Sequence, residues 1–146
     1  MTGIYSRQQE LKLTIPDRVA VIGCGGVGFW VALFLGMAGV RQIEVFDQDV
    51  IQEHNLNRLP VPPSAIGRSK VEVLREMLIS LRPDAIVLAY PLSVNNAILA
   101  GIHPEVVIDA TDDMRVQLAT YKFCQSNNIR YIRTGYNGGT HLTICS

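Results

Sequence analysis

The chain is poor in the features that most readily mark a functional class. Its 146 residues hold three cysteines, Cys24, Cys124 and Cys145. That number is odd and no two form a C-x-x-C pair, which excludes a disulfide framework and leaves no zinc site of the usual spacing. Each cysteine reads as a small buried hydrophobe. His54, His103 and His141 are scattered without metal-ligand spacing. Basic and acidic residues balance at 13 each, with pI near 6.8. No global field exists of the kind that gathers nucleic acid or an anionic membrane, so any phosphate binding has to be local. The longest apolar run, VGFWVALFLGMAGV at 27–40, falls short of the roughly 20 residues that span a bilayer. Gly36 and Gly39 also interrupt it, and it reads as a buried helix. The N-terminal MTGIYSRQQELK has neither the apolar core nor the small-residue cleavage site of a secretion signal. A cytoplasmic protein is expected, with no membrane and no direct nucleic-acid partner.

What is present is a core. Hydrophobic residues make up 48% of the chain and charged residues 18%, enough for one compact domain. Residues 1–17 form a polar N-terminal segment that ends at the Pro16-Asp17 break, and residues 18–146 form the domain. The short apolar runs RVAVIG, RQIEVFD, AIVLAY, VVIDAT and IRYIRT predict five strands of the type buried on both faces, with THLTIC as a sixth. Helices are predicted over the 27–40 run, closed by Gly39, over 70–81, stopped by Pro83, and over 114–125. Strands alternating with helices through short connections imply right-handed βαβ units. The expected fold is α/β, a Rossmann-like doubly wound and mostly parallel sheet with helices on both faces.

Two stretches carry chemistry. VIGCGGVG puts Gly23, Gly25 and Gly28 in the G-x-G-x-x-G register between a strand and a helix, with Gly26 inside the loop. Glycine permits a tight turn and close approach of backbone to phosphate, while the helix start offers free N–H groups and partial positive charge. A nucleotide phosphate suits that loop, which by itself does not choose among NAD, FAD and ATP. The second stretch is DQDVIQEHNLNRLP, at 47–60. Asp47 lies where dinucleotide folds keep an acid for ribose hydroxyls, and Asp49 lies two residues on, on the same side if the chain stays extended. A carboxylate accepting ribose hydroxyls gains roughly 1.5 to 3 kcal/mol per bond in partly desolvated geometry.

Taken in order, GCGGVG, DQDVIQEHNLNR, IGRSK and DATDD resemble the signature of the ThiF/MoeB/ubiquitin-activating-enzyme superfamily. Members adenylate the C-terminal carboxylate of ubiquitin-like proteins. The resemblance implies that Asp49 holds the ribose, that Asn55 or Asn57 and Arg58 meet the phosphates, and that Lys70 reaches them too. It implies that Asp112 serves magnesium and the reacting phosphate. It also implies that Arg7, in YSRQ, enters the site of a partner subunit, hence a homodimer. ATP and Mg2+ are the implied cofactors, with a ubiquitin-like or sulfur-carrier protein bearing a flexible C-terminal tail as partner. The residue types suit that chemistry: a carboxylate attacking the α-phosphorus of ATP concentrates negative charge, which Arg58, Lys70, Arg7 and a metal held by Asp112 would neutralise.

Two departures stand out. The family usually has glutamine after its arginine and asparagine after the D-A-T-D block, where this chain has Leu59 and Asp113. Those changes imply a lost phosphate-side amide and a second acid near the metal. The family domain also usually continues into a crossover loop, more of the docking surface, and often a zinc-binding cysteine pair and a transfer cysteine. The chain is thus expected to be truncated relative to its family, with no zinc site of its own. Two other readings remain open at this point. A NAD(P)-binding Rossmann oxidoreductase explains the glycines and Asp47 but not the Asn-Leu-Asn-Arg run, Lys70 or Asp112. A nucleotide-binding partner subunit without catalysis is suggested by Leu59 and Asp113.

Overall fold

The computed structural model describes residues 3–135; the expected sixth strand, with His141 and Cys145, lies outside them. A short helix α1 (Ser6–Glu10) precedes β1 (Arg18–Ile22), α2 (Gly28–Ala38) and β2 (Gln42–Phe46). Then follow α3 (Lys70–Leu81), β3 (Ile86–Tyr90), α4 (Asn96–Ile102), β4 (Val106–Asp109), α5 (Met114–Ser126) and β5 (Arg130–Arg133). The five strands form one sheet in the order β3-β2-β1-β4-β5, and all four pairings are parallel. The expected doubly wound architecture is therefore present, with β1 and β4 adjacent at the point where the strand order reverses.

Strand alternation builds two cores. Val19, Val21, Ile43 and Val45 point to one face, where they meet Phe29, Ala32 and Leu33 of α2 and Leu74 and Leu78 of α3. Ala20, Ile22, Phe46 and Val107 point to the other, against Leu99 of α4 and Cys124 of α5. Burying one side chain such as Phe29 contributes about 1.5–3 kcal/mol. Helix α2 ends as its sequence suggests: Gly39 closes it with φ 101°, and a Cβ there would meet the Tyr5 ring at 3.0 Å.

Two expectations need correction. The 27–40 run is not buried all round, because Trp30 and Phe34 stack on each other at an exposed face of α2. No helix among the described residues is long and apolar enough to cross a membrane. The fourth predicted strand stops at Asp109 rather than Thr111, since the chain turns there to form a polar loop. Helices α1 and α4 were not legible in the sequence. Helix α1 has five residues and α4 seven, too short for periodicity to declare itself, and α4 is started by the Asn95 side chain, which accepts from Ile98 N at 2.9 Å.

Candidate active site

A cavity of about 440 Å3 opens at the carboxyl ends of the strands, over the switch point between β1 and β4. Its floor is the glycine loop. Gly23 sits at φ 85°, in the left-handed region, and a Cβ on it would press on the Ala110 backbone at 3.0 Å. Gly25 and Gly26 line the cavity, and a Cβ on Gly26 would strike the Arg58 side chain at 2.9 Å. Gly28 differs from these three. It starts α2 away from the cavity lining, and a Cβ on it would lie 1.7 Å from the Gly23 carbonyl oxygen. That glycine serves the packing of helix on loop.

The wall beyond β2 is the stretch from Asp47 to Lys70. Asp47 does not extend alongside Asp49: its Oδ2 accepts from Cys24 N at 2.8 Å and its Oδ1 accepts from Asp49 N at 2.8 Å. One carboxylate thus ties the glycine loop to the acidic loop. Asp49, with a side chain 64% exposed, faces the cavity. Apolar anchors hold the rest of the loop, as Ile51, Leu59 and Ala65 are buried in the α2–α3 core. Leu59 therefore points inward, so on this backbone position 59 supplies packing and not a phosphate contact. Asn55 is buried, accepts from Gln52 N at 2.8 Å through Oδ1, and lines a second, polar cavity that shares Asp49, Arg58 and Lys70 with the first. Asn57 lines neither cavity; its Oδ1 accepts from Arg58 Nη1 at 3.0 Å. The same nitrogen donates to the His54 carbonyl at 2.8 Å, while the Arg58 carbonyl accepts from Trp30 Nε1 at 2.8 Å. Arg58 lines both cavities, and the rest of its five-donor fork has no partner among the described residues.

Lys70 is the most telling residue electrostatically. It is the first residue of α3, only 7% exposed, with Nζ 3.6 Å from Asp49 Oδ2. A cation at a helix start opposes the helix dipole, and desolvation adds to the penalty. Its one carboxylate partner among the described residues is beyond hydrogen-bond reach and mostly in water. An anion in the cavity would resolve that conflict.

The third wall follows β4. Asp109 is fully buried and its Oδ1 accepts from Thr111 N at 3.0 Å and from Thr111 Oγ1 at 2.6 Å. Its Oδ2 accepts from the Tyr131 hydroxyl at 2.9 Å. Asp112 is exposed and lines the cavity. Asp113 caps α5, accepting from Arg115 N at 2.9 Å. An asparagine would cap equally well, so the departure at 113 keeps the structural job. Sequence reading missed Asp109, Thr111, Gln117 and Tyr131; the hydroxyl and amide partners are spread over three elements, and no local pattern joins them.

Arg7 lies elsewhere. Gln8 Nε2 donates to Ala38 O at 2.9 Å and Arg82 Nε donates to the Tyr5 hydroxyl at 3.0 Å, which pins α1 at the far end of α2 from the glycine loop. Eleven residues of helix, roughly 16 Å at 1.5 Å per residue, separate the two ends. Arg7 does not line its own chain's cavity. Cys24 is fully buried, and burial together with the Asp47 charge pushes its thiol far up, as expected of a packing cysteine and not a nucleophile. Burial and Asp109 push Cys124 up to about 11.

A family model described as the ThiF family matches residues 4–143. The chain belongs to the ThiF family. Among curated relatives, this ThiF-family chain is 32% identical to the tRNA threonylcarbamoyladenosine dehydratase of Haemophilus influenzae, over 88% of the chain and 54% of the relative. It is 30% identical to ubiquitin-like modifier-activating enzyme 5 of Caenorhabditis elegans, over 91% of the chain and 34% of the relative. Among solved structures, Escherichia coli TcdA in complex with ATP superposes with a TM-score of 0.83 at 29% identity, covering 95% of this chain and 60% of that one. Escherichia coli MccB with MccA gives a TM-score of 0.75 at 26% identity, covering 88% and 40%. The chain spans about half the length of the first of these curated relatives.

Proposed function

We propose that this domain binds ATP and adenylates the C-terminal carboxylate of a ubiquitin-like or sulfur-carrier protein. The observation that carries the reading is the near-buried Lys70 at the start of α3, which lines one cavity together with Arg58 and the glycine loop. An ATP complex in TcdA, at 29% identity, supports the nucleotide. The C. elegans relative, a ubiquitin-like modifier-activating enzyme, and MccB with MccA support an acceptor of the ubiquitin-like or MccA kind; the H. influenzae relative, a tRNA threonylcarbamoyladenosine dehydratase, points to tRNA as the competing acceptor. The balanced charge of this chain favours the protein tail.

In this reading the glycine loop, Gly23, Gly25 and Gly26, cradles phosphate and Asp49 holds the ribose, while Asp47 braces both. Gly28 supports the loop by packing, Asn55 shapes the adjoining polar cavity, and Asn57 orients Arg58. The acceptor carboxylate is ionised at neutral pH, so attack needs no base. Its oxygen bonds to the α-phosphorus as the bond from that phosphorus to the bridging oxygen breaks, and pyrophosphate leaves with both electrons. Arg58 and Lys70 offset the charge that gathers on the phosphates. Asp112 fits magnesium: an exposed hard oxygen donor facing the cavity, with no cage of three or more ligating residues among the described residues. One or two carboxylates with phosphate oxygens and water suffice for that ion. When bound, it supplies charge neutralisation at the phosphates. Arg7, remote from its own cavity, serves a second copy's site in a homodimer, and residues 18–146 are the adenylation domain.

The test is thermal unfolding with Mg-ATP, with ATP plus chelator and with NAD, followed by ATP–pyrophosphate exchange with a carrier protein ending in a free tail. Ligand at about 100 times its Kd adds about 2.7 kcal/mol of stability. A shift with ATP, lost in Arg58→Ala, and exchange that requires the tail are expected. A shift with NAD alone would sink the reading; ATP binding without exchange would assign a partner-subunit role. Arg7→Ala should lower exchange and be complemented by mixing with Lys70→Ala, which only a shared site allows.

A further inference from the structure

Thr111 is gripped on every polar group it has. Its N–H and hydroxyl both donate to Asp109 Oδ1, at 3.0 and 2.6 Å, and its carbonyl accepts from Gln117 Nε2 at 2.6 Å. The other Asp109 oxygen is held by the Tyr131 hydroxyl at 2.9 Å, from β5. Asp109, Gln117 and Tyr131 are all buried. A buried carboxylate is expensive to keep unless its oxygens are fully bonded, and an apolar anchor would hold an ordinary turn at less expense. What this network adds is position. The next residue is Asp112, whose side chain faces the cavity, and the one after it, Asp113, is fixed by capping α5. Asp112 is thus suspended between two immobilised neighbours. Tyr131 does not line the candidate ATP cavity; its ring edges a separate cavity between α5 and β5.

We infer that Asp109 and Tyr131, acting through Thr111, are positioning residues that set the Asp112 carboxylate for the metal-bearing phosphates of ATP. The inference rests on the adenylation reading above and adds a positioning role that the sequence motifs do not assign, to Asp109 inside the DATDD block and to Tyr131 outside every motif. A network that merely held the fold together would affect nucleotide binding with and without magnesium alike. One that positions Asp112 affects only the magnesium-dependent part.

The test measures ATP affinity of the whole chain in magnesium and in chelator, read by the fluorescence of Trp30, which hydrogen-bonds the Arg58 carbonyl. Tyr131→Phe removes one hydroxyl and no bulk; Gln117→Met releases the Thr111 carbonyl and is the second variant. Both are expected to reduce the magnesium-dependent gain in affinity at least threefold while leaving the chelator Kd within twofold. Amide hydrogen exchange without nucleotide should show Thr111 at least tenfold less protected in Tyr131→Phe, with Cys24 N–H unchanged. Equal weakening in both conditions, or an unchanged magnesium gain in both variants, would overturn the positioning role alone. A wild-type chain that binds no ATP, or gains nothing from magnesium, would overturn this inference together with the adenylation reading.

Discussion

The cavity's two acidic walls are built alike and secured differently. After β2, Asp47 spends its carboxylate on backbone N–H groups of Cys24 and Asp49, and Asp49 faces the cavity. After β4, Asp109 spends its carboxylate on Thr111 and Tyr131, and Asp112 faces the cavity. In each wall an inner aspartate braces and an outer one is presented. The difference lies in the braces. Asp47 is half-buried and uses main-chain donors, which any sequence on that backbone supplies. Asp109 is wholly buried and, besides the Thr111 N–H, depends on two side-chain hydroxyls, those of Thr111 and, from β5, Tyr131. The first wall therefore tolerates change around it, and the second is specific to these residues.

The largest effect expected is from breaking the deeper brace. Asp109→Ala takes the acceptor from the Thr111 N–H and hydroxyl and leaves the Tyr131 hydroxyl only the Gln117 carbonyl at 3.5 Å, at about 1–3 kcal/mol for each orphaned group. Urea denaturation should show a loss of about 3 kcal/mol or more, against about half that for Asp47→Ala. Equal losses would break the distinction between the walls.

Next comes the contrast of inner with outer. Asp112→Ala and Asp49→Ala should stay within about 0.5 kcal/mol of wild-type stability. Asp112→Ala should nonetheless lose the magnesium-dependent share of the ATP thermal shift, part of the about 2.7 kcal/mol available at 100 times Kd. Asp49→Ala should weaken ATP with and without magnesium.

Glu44 is a third buried acid, on β2 itself, and sharpens the comparison by lacking a full set of partners. Gln42 donates to its Oε1, and its Oε2 has none among the described residues. Burial raises its pKa, outweighing the opposing Gln42 bond and the Arg18 charge. A raised acid penalises the fold when ionised. The penalty is absent below the unfolded value, near pH ~4.3, grows as pH rises from there to the folded value, and is constant above it. Glu44→Gln should match wild type at pH 4 or below and exceed its stability at neutral pH, in urea melts across that range. A constant difference would show that Glu44 does not titrate with folding.

The smallest effect concerns the cap. Asp113→Asn should leave stability unchanged, whereas Asp113→Ala should lose about 1 kcal/mol, as thermal melts would show. A marked change in magnesium-dependent ATP binding by Asp113→Asn would instead make residue 113 part of the metal's surroundings.

Much of this molecule is legible along the chain. Short continuous apolar runs mark five strands, and longer apolar or periodic stretches three helices, because burial on both faces of a strand or one face of a helix leaves a local pattern. The glycine loop is equally local: Gly23 and Gly28 are required by a left-handed turn and a near-contact within six residues. Asp49, Arg58, Lys70 and Asp112 could be named from ordered motifs, and all four line one cavity. Only tertiary structure decided which aspartate braces and which is presented, that Leu59 packs inward, that Gly28 packs while Gly25 lines, and that Arg7 stands apart from its own cavity. It alone joined Tyr131 to Asp109 across 22 residues of chain. The reason is physical: periodicity records which face of an element meets the core, whereas a hydrogen bond between elements depends on sheet register and helix packing, which leave no repeat in the sequence.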